Sequence, residues 1–200
     1  MKYYAVKAGK KTGIFLTWPE CQAAISGFSN PVYKSFLTKA EAVFYLNGKD
    51  YWQTVAEKDL KGGYLVAFTD GSFLKNGTKF GYGVHLILPG GLKKNISGSS
   101  DNKYFLATNN VAGEVFAVIT ALEFAKSNNF TKIKIYHDYI GIAKWVSSEW
   151  KTGSNIARYF VNFYNSVKKD FTEIEFIKIS SHSNISYNDI ADQLAKSALK

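Results

Sequence analysis

The order of elements in the 200-residue sequence predicts an α/β layered domain on a mixed five-stranded sheet, preceded by a small ββαβα unit. Three observations predict it. Strand-like runs follow one another over residues 64–98 before any long helix signal. From 111 onward, helical and strand patterns alternate. Residues 2–46 carry their own complete set of turn and capping signals.

The small unit opens with `KYYAVKAG` and `GIFLTW`, a hairpin around the Gly-Lys-Lys-Thr-Gly turn at 9–13. Thr17-Trp18-Pro19-Glu20 has the spacing of a capping box, with Pro19 in the first turn of a helix. The strand `VYKSF` follows, and Thr38-Lys39-Ala40-Glu41 is a second capping box that opens a helix through about Leu46. The stretch 47–63, with weak periodicity and glycines at both ends, reads as a linker. Strands are then expected at 64–69, 80–88 and 92–98, and a helix at 111–127 with Val111, Val115, Val118, Ile119 and Leu122 on one face. `KIKIYHD` (132–138) is a strand, helices are expected near 139–149 and 154–168, `IEFIKIS` (174–180) is a strand, and 187–199 is the last helix.

With 46% hydrophobic and 16% aromatic residues the chain can bury a core, and no apolar run approaches the ~18 residues of a membrane span. Cys21 is the single cysteine, which excludes an internal disulfide and fits a reducing compartment; a cytoplasmic monomer without membrane contact is expected. The formal charge of +9 points to a polyanionic partner, most often nucleic acid.

Four carboxylates stand at informative places. Asp70 is expected to close the first strand of the larger unit, and Asp138 closes `IKIYHD`. Glu114 falls in the first turn of the first long helix, and Asp192 lies in the last helix beside small and apolar residues. Two of the four end hydrophobic strands, so they can converge at one sheet edge. Converging carboxylates repel and require a cation, and oxygen-only ligands with room for a phosphate suit Mg²⁺, with Mn²⁺ as substitute. Two such ions ~3.5–4 Å apart clamp the attacking and leaving oxygens of a phosphoryl displacement. No zinc pattern, phosphate-binding Walker loop or Gly-x-Ser-x-Gly elbow supports a competing chemistry.

From about Tyr64 to Leu199 the sequence resembles type 1 ribonuclease H. `TDGS`, `NNVAGE`, `YHDYIGIAKW` and `SHSNISYNDIADQLA` look like that family's four carboxylate motifs in the right order. In the last motif His182 is followed by Asn188, Ala191 and Asp192 at family spacing. The resemblance implies a ribonuclease H-like fold and a two-metal endonuclease that cuts the RNA strand of an RNA–DNA hybrid, leaving 5′-phosphate and 3′-hydroxyl ends. It implies that Asp70, Glu114, Asp138 and Asp192 are metal ligands, and that His182 assists proton transfer or product release. Ser72, Asn109 and Asn110 become candidates for contact with the nucleic acid. Two departures stand out: three residues rather than two separate the Asn pair from Glu114, and `SSHSNIS` lacks the glycine often found after the histidine.

Residues 3–46 resemble the hybrid-binding domain at the N-terminus of many such enzymes, a unit related to viroplasmin. The resemblance rests on `YYAVKAGKKTGIFLTW`, `EC` and `YKSF`. Lys10 and Lys11 on a tight turn can meet phosphates, with Gly9 and Gly13 admitting backbone N–H groups. Tyr4, Trp18 and Tyr33 supply aromatic faces for sugars, and Lys34 reaches toward the backbone. Such contacts read A-form shape and 2′-hydroxyls, so double-stranded RNA is a second expected ligand. Ser35 stands where the family often has a second basic residue. The expected organisation is a binding domain at 1–46, a linker at 47–63 and a catalytic domain at 64–200. A viroplasmin-like binding protein with a vestigial nuclease fold is the rival reading, and the four retained carboxylates argue against it. A nuclease of the same fold with another substrate is the second rival.

Overall fold

The computed structural model describes residues 1–74, 77–179 and 186–200. The chain divides into two compact units, Met1–Val55 and Ala56–Lys200. Among the described residues, no helix is long and apolar enough to cross a membrane.

In the first unit, β1 (Tyr3–Ala8), β2 (Gly13–Phe15), α1 (Trp18–Ile25), β3 (Val32–Phe36) and α2 (Lys39–Leu46) give the ββαβα order. Its antiparallel sheet runs β2-β1-β3. Both capping boxes form: Thr17 accepts from the Glu20 N–H and Thr38 from the Glu41 N–H, with each glutamate returning to the cap backbone. Adjacent residues of β1 point to opposite faces. Val6 therefore packs with Cys21, Ala24 and Ile25 of α1, while Ala5 packs with Ala42 of α2 and with Phe36. So small a sheet buries both faces only because a helix covers each.

Residues 51–61, expected as part of a linker, form the helix α3 (Tyr51–Lys61). Asp50 starts it by accepting the N–H groups of Trp52 and Gln53. The Trp52 indole donates to Glu41 Oε1 at 3.0 Å, and the Tyr51 ring sets its edge against Phe44. Glu41, buried at 4% exposure, thus closes both a helix cap and an indole contact.

In the second unit, β4 (Leu65–Phe73), β5 (Phe80–Ile87) and β6 (Lys93–Ser100) come first. They precede α4 (Lys103–Leu106), α5 (Asn110–Ser127), β7 (Lys132–His137), α6 (Gly141–Val146), α7 (Asn155–Val167), β8 (Glu173–Lys178) and α8 (Ser186–Ser197). The sheet order is β6-β5-β4-β7-β8. The first three strands pair antiparallel, and β4-β7-β8 pair parallel, so the sheet is mixed as expected. Leu65 and Ala67 pack beneath Val115 and Val118 of α5. On the other face Phe68 meets Tyr187 of α8. The C-terminal half of α3 also joins this unit: the Tyr136 hydroxyl donates to Asp59, and Lys134 pairs with Asp59 at 3.0 Å.

Two expectations about the carboxylates are corrected. Asp70 does not close its strand. Parallel pairing of β4 with β7 stops at Phe68↔Tyr136, but antiparallel pairing with β5 continues through Asp70↔Gly83 to Phe73↔Phe80. The Asp-Gly-Ser turn preference is overridden by that ladder, so Asp70 stands where one neighbour strand has ended and the other has not. Glu114 lies in the second turn of α5, because the helix begins at Asn110 rather than Val111.

Candidate active site

The step between β4 and β7 creates the site. Asp70 projects from β4 just beyond the last paired residue of β7, and Asp138 directly follows the end of β7. Glu114 arrives from α5 because that helix sits almost on the strand. A methyl group on Gly71 would lie 2.3 Å from the Glu114 nitrogen and 2.6 Å from the Gly113 carbonyl carbon. Neither glycine can carry a side chain at this crossing. On the opposite face Gly81 and Gly83 admit α8, whose Ala195 and Ala191 carbonyl oxygens would lie 2.2 and 2.1 Å from any added Cβ. Four glycines therefore set the depth at which two helices deliver their acids.

Carboxylate oxygens of Asp70, Glu114 and Asp138 all lie within 4.8 Å of one another. Asp192 of α8 stands outside this trio but opens on the same cleft, which also takes in Ser72, Asn110 and Lys196. The Gly71 N–H donates to Asp70 Oδ1 at 2.7 Å. Burial, then the charges of Asp138 and Asp192, push the Asp70 carboxyl up to about 7. Glu114 is pushed well up by its burial and by Asp70 and Asp138. Its Oε2 is buried with no hydrogen-bond partner among the described residues. Three crowded carboxylates and an orphaned oxygen fit a hard divalent cation, which oxygen donors prefer and which would remove the repulsion.

Of the other expected residues, Ser72 and Asn110 border the cleft. Asn109 is exposed, does not line it, and holds the unusual backbone angles φ 51°, ψ −129° before α5. His182 lies outside the described residues. In the first unit the rings of Tyr4, Trp18 and Tyr33 form one row, with centroids 5.8 and 5.9 Å apart, and the latter two are exposed. Lys10 and Lys11 are exposed on the turn after β1, and the Lys34 ammonium lies over the Phe36 ring.

Sequence reasoning passed over Asn188, Asp189 and Lys196 of α8 as cleft residues. The signal was there: Lys196 follows Asp192 by four residues, one helical turn. Gly113, a glycine inside a helical pattern, was likewise a mark of close packing.

A mixed sheet bearing a carboxylate trio at the end of its central parallel pair defines the class: a ribonuclease H-type enzyme. The chain belongs to the RNase H family, whose model matches residues 63–200, and the family described as the Ribonuclease H1 N-terminal domain matches residues 2–46. It is 25% identical over 279 residues to Ribonuclease H1 of Homo sapiens, covering 99% of this chain and 89% of that protein. It is 31% identical over 147 residues to a Ribonuclease H of Chlorobaculum parvum, covering 68% of this chain and 95% of the relative. LC11-RNase H1, solved in complex with an RNA/DNA hybrid, shares the fold at a TM-score of 0.54 and 17% identity, over 68% of this chain and 99% of that one.

Proposed function

We propose that the protein hydrolyses the RNA strand of RNA–DNA hybrids, leaving 5′-phosphate and 3′-hydroxyl ends, at a centre that takes two divalent cations, Mg²⁺ or in its place Mn²⁺. The observation that carries this reading is the convergence of Asp70, Glu114 and Asp138 within 4.8 Å in a cleft open to solvent. Its support includes the LC11 enzyme, whose structure holds an RNA/DNA hybrid on the same fold.

Asp70, Glu114, Asp138 and Asp192 would hold the cations. When bound, these supply charge neutralisation at the scissile phosphate and an acidified water. Ser72 and Asn110 meet the nucleic acid beside the acids, Asn109 meets it from outside the cleft, and His182 serves proton transfer or product release. Residues 1–46 bind hybrid or double-stranded RNA through Tyr4, Trp18, Tyr33, Lys10, Lys11 and Lys34, residues 47–63 connect, and 64–200 catalyse. The enzyme acts as a cytoplasmic monomer, in keeping with its single, buried thiol.

The test uses labelled hybrid, double-stranded RNA and double-stranded DNA, each with Mg²⁺, Mn²⁺ or chelator. Cleavage confined to the RNA strand of the hybrid, and only with a cation, is the expected result. Cleavage of the DNA strand, or activity in chelator, would overturn the reading.

A further inference from the structure

We propose that Lys196 is a built-in counter-ion of the acidic centre, holding Asp192 in the cation-free protein and surrendering it as the last divalent cation loads. This rests on the cation-binding reading above and adds an order of loading to it.

The Lys196 ammonium lies 2.7 Å from Asp192 Oδ2, one helical turn along α8. Both side chains open on the cleft that holds the trio, and Lys196 is its one cationic residue among the described residues. Its ammonium also feels Asp70 and Asp189, with the hydrogen bond to Asp192 as the largest influence. The four proposed ligands therefore differ. Among the described residues no ion pair reaches Asp70, Glu114 or Asp138, whereas Asp192 already has a cation.

Crowded acids with no ion-pair partner bind a divalent ion tightly, because the ion relieves their mutual repulsion. At Asp192 an incoming ion must instead displace an ammonium. That exchange is open to it: the Lys196 side chain is 58% exposed, and solvated lysine pairs hold weakly. The trio loads first and the Asp192 side second, at a concentration that Lys196 sets. Lys196 is on this account a positioning residue, acting through Asp192.

The experiment titrates the full-length chain with Mn²⁺ by calorimetry, without substrate, comparing wild type, Lys196→Gln and Lys196→Arg. Two binding phases are expected in wild type. Lys196→Gln should tighten the weaker phase roughly three- to ten-fold and leave the tight phase nearly unchanged, since one unit charge is removed from a partly solvated position. Lys196→Arg, which keeps the charge, should titrate like wild type. In an Asp192→Asn background the effect of Lys196→Gln should vanish. A weaker phase that is unchanged or loosened in Lys196→Gln overturns the counter-ion role while leaving the cation reading intact. Absence of Mn²⁺ binding in wild type overturns the cation reading and this inference with it.

Discussion

Gly71 of β4 and Gly113 of α5 meet backbone to backbone: a methyl group on Gly113 would lie 2.8 Å from the Gly71 Cα and 2.3 Å from the Gly81 carbonyl oxygen. That contact seats Glu114 beside Asp70. Mid-helix, glycine to alanine ordinarily stabilises by ~1 kcal/mol. At Gly113 the sign should reverse, because forcing a methylene into a closed contact typically costs ~1–3 kcal/mol. Gly113→Ala is expected to melt at lower temperature and to bind Mn²⁺ more weakly. A variant as stable as wild type or more so would show that the crossing is looser than described.

Asp138→Asn should abolish hybrid cleavage and leave hybrid binding largely intact. Asp138 follows the end of β7 without being part of its ladder, so neutralising it removes a proposed ligand and spares the sheet. Gel assays for turnover and fluorescence anisotropy for affinity separate the two. Turnover like that of wild type would remove Asp138 from the site.

The raised Asp70 carboxyl gives a pH signature. Its folded-state value of about 7 lies above the ordinary 3.8, so the folded protein binds more protons than the unfolded chain between those values. In chelator, stability should therefore fall as pH rises from about 4 through about 7. A divalent cation competes with those protons, so its affinity should climb over the same window and saturating Mg²⁺ should flatten the loss. Thermal melts at pH 5 and pH 8, with chelator and with Mg²⁺, measure this. Identical pH slopes under both conditions would contradict it.

The aromatic row of the first unit should act differently from its lysines. Replacing Lys10 or Lys11 by alanine should weaken hybrid binding and flatten its salt dependence by roughly one log–log unit per lost phosphate contact. Trp18→Ala should weaken binding with the slope unchanged, since a stacking contact releases no counterion. A salt series on long hybrids decides between these patterns. Equal affinity and slope in all three variants would exclude these residues from recognition.

Much of this was legible because it depends on short-range signals. Both capping boxes are four-residue patterns, and β4, β5 and β7 contain apolar runs that mark their positions, whereas β6 (`KKNISGSS`) is largely polar and exposed. The corrections arise where a distant partner decides. The turn-forming Thr69-Asp70-Gly71-Ser72 became strand because β5 continues its ladder past Asp70. Residues 51–61 showed weak periodicity because one of their buried positions is an acid, Asp59, whose partners Lys134 and Tyr136 lie more than seventy residues away. The four acidic positions were identifiable by type, and the i,i+4 spacing of Asp192 and Lys196 was readable too, but the tightness of the trio and its place relative to Asp192 were not. Those depend on how deeply glycine lets each helix settle.

The glycines under α8 also act as a register lock. Asp70 lies opposite Gly83 in the ladder, and Ser72 opposite Gly81. Side chains alternate along a strand, so sliding β5 by one residue would bring Tyr82 or Val84 to the place where the Ala191 carbonyl leaves no room even for a methyl group. A misaligned sheet cannot accept its helix. During folding, α8 can dock only on the alignment that leaves Asp70 at the open step beside β7, so a chain that has closed around its core has also, by steric selection, assembled its acids.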